Sequence, residues 1–118
     1  MDIENFREYC LSKKGVTESF PFDEHTLVFK VMGKMFALCG LERVPAQVNL
    51  KCDPERSVSL RAEYDGTIIP GYHMSKLHWN TVYMQEIPPK LLVELIDHSY
   101  NLVVANLTKK LKEELNTL

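Results

Sequence analysis

The N-terminal segment repeats hydrophobic residues at the spacing of a helix. Four of them fall on one side of a 3.6-residue repeat: Ile3, Phe6, Tyr9 and Cys10. This repeat predicts an amphipathic helix from Asp2, a suitable N-cap, to about Lys13. Gly15 follows two lysines and is expected to end the helix.

The pattern changes to short apolar runs between residues 19 and 52. The runs at 26–32 and 35–41 are rich in β-branched and aromatic residues, and Gly33-Lys34 separates them, which predicts two strands joined by a tight turn. A third run, at about 47–52, alternates apolar and polar positions, so one of its faces is expected to be buried. Together the runs predict an antiparallel meander.

The second half of the chain mixes helical and extended patterns. Its predicted elements are, in order, a helix capped by Asp53 that runs from Pro54 to about Glu63, an irregular segment at 68–78, a strand at 79–84 and a helix from about Pro89 to Val104. A last helix through Leu115 follows directly or after a kink near Asn106. Mixed helices and strands of this kind are typical of an α+β domain.

Length and composition indicate one ordinary globular domain, over residues 1–118. A chain of 118 residues suits a single hydrophobic core. No apolar run approaches the roughly 18–20 residues of a membrane helix, and the acidic start is unlike a signal peptide, so a cytoplasmic protein is expected. Cys10, Cys39 and Cys52 are widely spaced, which favours buried free thiols over a disulfide framework or a zinc site.

The net charge of −2 gives the chain no overall attraction to nucleic acid or to anionic membranes. DNA binding would therefore require a local basic patch.

No pattern in the sequence predicts an active site. The four histidines lie at 25, 73, 78 and 98, where no pair has the spacing that brings metal ligands together on a helix. Asp97, His98 and Ser99 are consecutive, so on a helix they point about 100° apart and cannot form a catalytic triad. The glycines form no phosphate-binding loop. We expect no enzyme activity, no catalytic residues, no cofactor and no metal.

The stretch from Pro70 to Asn80 combines aromatic residues, histidines and a lysine. This mixture suits phosphate contacts and base stacking. Residue chemistry alone slightly favours a structural role instead, in which Tyr72 and Trp79 anchor the core and the loop returns the chain to the sheet.

Several phrases of the sequence resemble the bacterial MmcQ/YjbR family. The most specific is Pro70-Gly-Tyr-His-Met-Ser-Lys-Leu-His-Trp-Asn-Thr-Val, and a later one is Leu95-Ile-Asp-His-Ser-Tyr-Asn-Leu-Val. Others are Pro21-Phe22, a strand at Val28-Phe-Lys-Val before Gly33-Lys-Met-Phe-Ala, and Val48-Asn-Leu-Lys-Cys before Pro54. They occur in the family's order from about Phe6 to about Leu107.

This resemblance implies a two-layer sandwich in which an antiparallel sheet is packed with helices, similar to the CyaY fold and to the double-wing domain of a phage transcription factor. Members are labelled DNA-binding largely through that likeness of fold, and a fold does not fix a function.

Two hypotheses of function follow. In the first, the protein is a monomeric DNA-binding module without membrane contact. Its phosphate contacts come from Lys30, Lys34, Lys51, Lys76 and Arg56, and the loop adds stacking or base contacts through Tyr72, His73, His78 and Trp79. In the alternative, the same surface binds a protein partner or a small ligand, with Met74, Tyr83 and Met84 on it.

Overall fold

One antiparallel sheet organises the chain, and helices cover one of its faces. The computed structural model describes residues 1–71 and 74–118, and these contain four helices and six strands. In chain order the elements are α1 (Ile3–Leu11), β1 (Val16–Ser19), β2 (Thr26–Val31), β3 (Lys34–Gly40), β4 (Gln47–Lys51), α2 (Pro54–Glu63), β5 (Ile68–Pro70), β6 (Trp79–Tyr83), α3 (Pro89–Ala105) and α4 (Lys109–Asn116). The strand order across the sheet is β1-β2-β3-β4-β6-β5. The predicted α+β class and two-layer arrangement are confirmed.

The predicted helix starts are confirmed by their capping contacts. The Asp2 carboxylate accepts from the backbone N–H of Asn5 at 2.8 Å, and that of Asp53 accepts from Arg56 at 3.1 Å. Each bond satisfies one of the N–H groups that the first turn of a helix leaves without a partner.

Two strands were not predicted, and one turn was placed a residue too late. β1 and β5 are the two edge strands, of four and three residues. β1 has one apolar side chain, Val16, and β5 is apolar but too short to show a repeat. The tight turn between β2 and β3 is formed by Met32 and Gly33, which have φ angles of 49° and 83°. Gly33 tolerates this conformation because it has no Cβ.

The main core lies between the sheet and the helices. Phe6 of α1 meets Phe29 of β2 edge to face, with ring centroids 5.8 Å apart, and Leu92 and Ile96 of α3 are fully buried in the same cluster. The three cysteines are buried and free, as predicted.

A bulge in β3 places two consecutive residues against the helices. The register between β2 and β3 shifts at Phe29, so Phe36 is an extra residue and both Phe36 and Ala37 enter the main core. The bulge interrupts the ladder toward β4, and buried Ser99 of α3 fills the gap. Its hydroxyl donates to the Phe36 carbonyl at 2.5 Å and accepts from the Lys51 N–H at 2.9 Å.

Candidate functional site

The face of the sheet opposite the main core holds a second, smaller apolar cluster. Val28, Leu38 and Trp79 are its buried members, and Met35 and Met74 pack against them. In the described chain no helix residue belongs to this cluster, whereas each of the four helices contributes a buried residue to the main core. We call this surface the open face.

A row of neighbouring side chains crosses the open face from apolar to polar. The register places Val28 beside Leu38, Leu38 beside Asn49, and Asn49 beside Thr81. The Thr81 hydroxyl donates to the Asn49 Oδ1 atom at 2.5 Å. An amide group therefore adjoins an apolar patch near the centre of this face.

Trp79 is packed into the open face. Its side chain is only 8% exposed, and the Gly71 N–H donates to its carbonyl at 2.8 Å. A Cβ at Gly71 would lie 2.8 Å from the Trp79 Cβ and 3.0 Å from the Trp79 carbonyl oxygen, so a larger residue would push the two segments apart. Position 71 therefore requires glycine, because its backbone lies too close to Trp79 for a side chain to fit. This placement favours the packing role for Trp79.

Arg61 of α2 holds the 75–80 segment from the helical side. Its Nε donates to the Asn80 Oδ1 atom at 2.8 Å, and its Nη2 donates to the carbonyls of Lys76 and Trp79. The Asn80 amide in turn donates to Ser57 of α2 at 3.3 Å. Arg61 was not predicted as a contact residue from the sequence. The one local feature that pointed to it is its position four residues after Ser57, which places both residues on the same side of α2.

Asp97 joins α3 to the end of α1. Its carboxylate accepts from the Tyr9 hydroxyl at 2.6 Å and pairs with Lys13 at 2.5 Å. The hydrogen bond to Asp97, together with burial, raises the pKa of Tyr9 to about 12. Burial alone would raise the pKa of Asp97, but the hydrogen bonds from Lys13 and Tyr9 outweigh it and the pKa lies below its usual value.

The residues after Asp97 also bind other parts of the fold. The His98 Nε2 atom accepts from the Asp53 N–H at 3.1 Å, at the start of α2. The Tyr100 hydroxyl donates to the Lys14 carbonyl at 2.6 Å, and its ring contacts Phe36 edge to face at 5.5 Å. With Ser99 at the bulge, the phrase Asp97-His-Ser-Tyr connects α3 to α1, α2 and the sheet. These contacts stabilise the packing of α3 against the rest of the fold.

The four lysines predicted to contact phosphate share one end of the sheet. Lys30 is the penultimate residue of β2, Lys34 begins β3, Lys51 ends β4, and Lys76 lies just before β6. Because neighbouring strands are antiparallel, these strand ends and starts meet at the same end. Lys14, just before β1, lies there too. We call this the basic end. Lys30 and Lys51 alternate with core-facing residues, so they project on the open face.

The other predicted contact residues are divided. His78 is exposed at the basic end, where it lines a cleft of about 240 Å³ with Lys51 and Asp53. Arg56 lies on the helical side, where its Nη2 meets both carboxylate oxygens of Glu94 at 2.5 and 2.6 Å. Tyr72 and His73 lie outside the described residues. Met84, expected on a partner-binding surface, has no exposed surface and belongs to the main core, so that expectation was wrong.

The opposite end of the sheet carries mostly acidic residues. The connecting segments there are 20–25, 41–46, 64–67 and 84–88. Their carboxylates are Asp23, Glu24, Glu42, Asp65 and Glu86. His25 and Arg43 are the basic residue types in the same segments, and His25 Nδ1 lies 3.1 Å from a Glu42 oxygen. Charges are thus segregated along the strand direction. We call this the acidic end.

A cleft of about 370 Å³ lies on the open face toward the acidic end. Its apolar part consists of Leu38, Met74 and Phe22, whose ring is 67% exposed. Gly40 and Arg43 also line it, and a Cβ at Gly40 would come within 2.7 Å of the Arg43 Cγ. Because Gly40 has no side chain, the aliphatic part of Arg43 can lie beside the cleft.

The polar part of the cleft contains a fixed carboxylate and two amides. Asp23 Oδ1 accepts from the N–H groups of His25 at 2.8 Å and Thr26 at 2.7 Å, and these bonds lower the pKa of Asp23. Gln47 and Asn49 line the floor. Among the described residues, the Gln47 side chain and the Asn49 Nδ2 group make no hydrogen bond, so they remain available to a ligand.

Residues 1–71 and 74–118 contain no group of three or more His, Cys, Asp or Glu side chains that could hold a metal ion. Within the same ranges, no helix has the length and apolar character needed to cross a membrane.

The YjbR family model matches residues 11–102 of the chain. The uncharacterized protein YbdF of Escherichia coli O157:H7 is 41% identical over 108 residues, which are 91% of this chain and 88% of that protein. The uncharacterized protein YjbR of Escherichia coli K12 is 34% identical over 117 residues, covering 98% of this chain and 97% of that one.

Two solved structures are similar to this one. The crystal structure of the Deinococcus radiodurans protein DR2400, which contains a DUF419 domain, has a TM-score of 0.90 and 41% identity, and the match covers 97% of this chain and 87% of that one. A protein from Pseudomonas syringae has a TM-score of 0.73 and 30% identity, with 86% and 98% covered.

Proposed function

We propose that this chain, which belongs to the YjbR family, is a nucleic-acid-binding protein that contacts DNA phosphates through the basic end of its sheet. The observation that carries the proposal is the segregation of charge. Lys14, Lys30, Lys34, Lys51 and Lys76 lie at one end of a chain whose net charge is −2. A local excess of lysines attracts a polyanion even when the whole molecule repels it.

The accessibility of these lysines supports the same proposal. Lys34 and Lys76 are exposed, and Lys30 and Lys51 are partly exposed. The backbone of these lysines is held in place by two kinds of contact. Lys30 and Lys51 belong to paired strands, and the Lys76 carbonyl accepts a hydrogen bond from Arg61. The backbone positions from which several of these lysines project are therefore fixed, which reduces the backbone entropy lost on binding.

Arg56 is not part of the proposed surface. Its guanidinium already meets a carboxylate, and breaking that pair to reach a phosphate would offset part of the gain. The packing role of Trp79 likewise makes phosphate contact, rather than base stacking by this residue, the centre of the proposal.

The test is DNA binding measured by fluorescence anisotropy with a random-sequence duplex over a range of salt concentrations. Each phosphate contact contributes roughly 0.9 to the slope of log affinity against log salt, so Lys51→Gln should reduce the magnitude of the slope by about one. A variant with Lys30, Lys34, Lys51 and Lys76 all changed to Gln should lose most of its affinity.

Lys90→Gln is the matched control. Lys90 is an exposed lysine in the first turn of α3, which follows the 84–88 segment of the acidic end, and its replacement changes the net charge by the same amount. Its salt slope should equal that of the unaltered protein. Equal effects of Lys90→Gln and Lys51→Gln, or affinity that does not depend on salt, would show that the basic end is not the binding surface.

A further inference from the structure

The cleft on the open face has the features of a ligand site that the proposed phosphate contacts do not use. It lies toward the acidic end, away from the lysines, and its volume of about 370 Å³ is near the small end of the roughly 300–1,000 Å³ range typical of ligand pockets. A small ligand is therefore the appropriate size. The inference that follows does not depend on DNA binding at the basic end.

The amides of the cleft indicate which polar groups a ligand would carry. The Gln47 amide offers both a donor and an acceptor, and Asn49 offers its Nδ2 donor because Thr81 already occupies its Oδ1. A primary amide is best satisfied by a ligand edge with an acceptor beside a donor, as on a nitrogen heterocycle. The Thr26 hydroxyl donates to Asp23 at 3.2 Å, so its oxygen can still accept.

The apolar residues of the cleft indicate the shape of the ligand. Phe22 exposes 67% of its surface although it lines the cleft, and covering its ring with a flat ligand would remove that apolar surface from water. Aromatic rings stack favourably, and the Met74 thioether is a soft partner for a ring. Leu38 supplies an apolar floor.

The charges of the cleft argue against a strongly anionic ligand. Asp23 is held ionised by its backbone hydrogen bonds, and Glu24 and Glu42 lie in the neighbouring segments. Arg43 supplies one positive charge at the same cleft. A phosphate group would meet the carboxylate, whereas an uncharged ring incurs no such repulsion.

We propose that this cleft binds a planar, uncharged nitrogen heterocycle of the nucleobase type, with Gln47 and Asn49 on its polar edge and Phe22 on its face. The same ring occurs in a free nucleoside and in an unpaired base of a single strand. The cleft recognises the ring in either source.

The test is an NMR titration with adenosine, guanosine, cytidine and uridine, and separately with a short single-stranded oligonucleotide. The side-chain amide signals of Gln47 and Asn49 should shift with at least one nucleoside or with the strand. Shifts with a free nucleoside identify the small molecule as a sufficient ligand, and shifts with the strand alone identify a base within a strand.

Matched variants locate the contact. Phe22→Ala should weaken binding roughly fivefold or more, because base stacking on one aromatic ring is worth about 1–3 kcal/mol. Phe20→Ala is the control, since Phe20 is also exposed, at 47%, in the same segment but does not line the cleft. Gln47→Met should weaken binding by removing the amide while keeping the volume similar.

The result that would overturn the proposal is an absence of shifts at Gln47 and Asn49 with every nucleoside and with the strand. Equal weakening by Phe20→Ala and Phe22→Ala would also overturn it. The Lys51→Gln variant separates the two proposals, because it should leave nucleoside binding at the cleft unchanged while it reduces the salt dependence of DNA binding.

Discussion

The two faces of the sheet are built from alternate residues of the same strands, yet they are completed differently. On the helical face, four helices contribute side chains to one continuous core. On the open face, Val28, Leu38 and Trp79 form a small cluster, and the cleft beside it is lined by both apolar and polar side chains. The helical face is therefore expected to contribute most of the stability, and the open face is where binding is expected.

The largest difference between the faces should appear when the same residue type is truncated on each. Leu50 and Leu38 are 2% and 5% exposed, on the helical and open faces respectively. Leu50→Ala should reduce the free energy of unfolding by about 4 kcal/mol and Leu38→Ala by about 2 kcal/mol, because the open-face cavity borders the cleft and can relax. Urea denaturation of both variants measures this difference, and equal losses would contradict it.

A smaller difference is expected for hydroxyl groups. Ser99→Ala leaves the buried Phe36 carbonyl and the Lys51 N–H without their partner and should cost about 2–3 kcal/mol. Thr81→Val on the open face removes the hydrogen bond to Asn49 and should cost about 1 kcal/mol. The same denaturation experiment tests the order, which would be wrong if Thr81→Val were the more destabilising change.

The smallest effect is a pH dependence at the junction of α2 and α3. Burial and the nearby Arg56 lower the pKa of His98 below its usual 6.5, while Glu94 and Asp53 act in the opposite direction. Because the folded state binds the proton less readily than the unfolded state, the contribution of His98 is complete above pH 6.5 and is lost as the pH falls below it. Protonation of Nε2 would also remove the acceptor for the Asp53 N–H.

His98→Gln tests this expectation. The change in unfolding free energy between pH 7.5 and pH 5.5 should be smaller in the variant than in the unaltered protein. An unchanged pH dependence would mean that His98 does not contribute to it.

Local sequence patterns predicted the long elements well. The helical repeat of α1, the alternation in β4 and the Asp53-Pro54 start of α2 each depend on neighbouring residues, and all three were confirmed. β1 was missed because an edge strand has only one partner and needs few apolar residues, and β5 was missed because its three apolar residues are too few to show an alternation. β1 pairs with β2 and β5 pairs with β6, and neither pairing can be predicted from the residues of the edge strand alone.

The candidate sites could be predicted only in part. The sequence predicted which lysines would contact phosphate. It could not predict that they lie at one end of the sheet, because that depends on the order and direction of four strands. The cleft draws Phe22, Gln47 and Met74 from three distant segments, so no local pattern could predict it. The Arg61 contacts with Asn80 have the same origin, since the two residues meet only through the packing of α2 on the sheet.

The edge of the sheet at β5 has a consequence for self-association. A strand adds to an edge by accepting hydrogen bonds from the outward-facing N–H groups of the edge and by donating to its outward-facing carbonyls. Since Gly71 donates inward to Trp79, the outward nitrogens of β5 are those of Ile68 and Pro70. The Ile68 N–H is already bound to the Tyr64 carbonyl at 2.9 Å, and proline has no N–H to donate. With no outward N–H group left to donate, this edge disfavours the strand-by-strand growth that leads to aggregates.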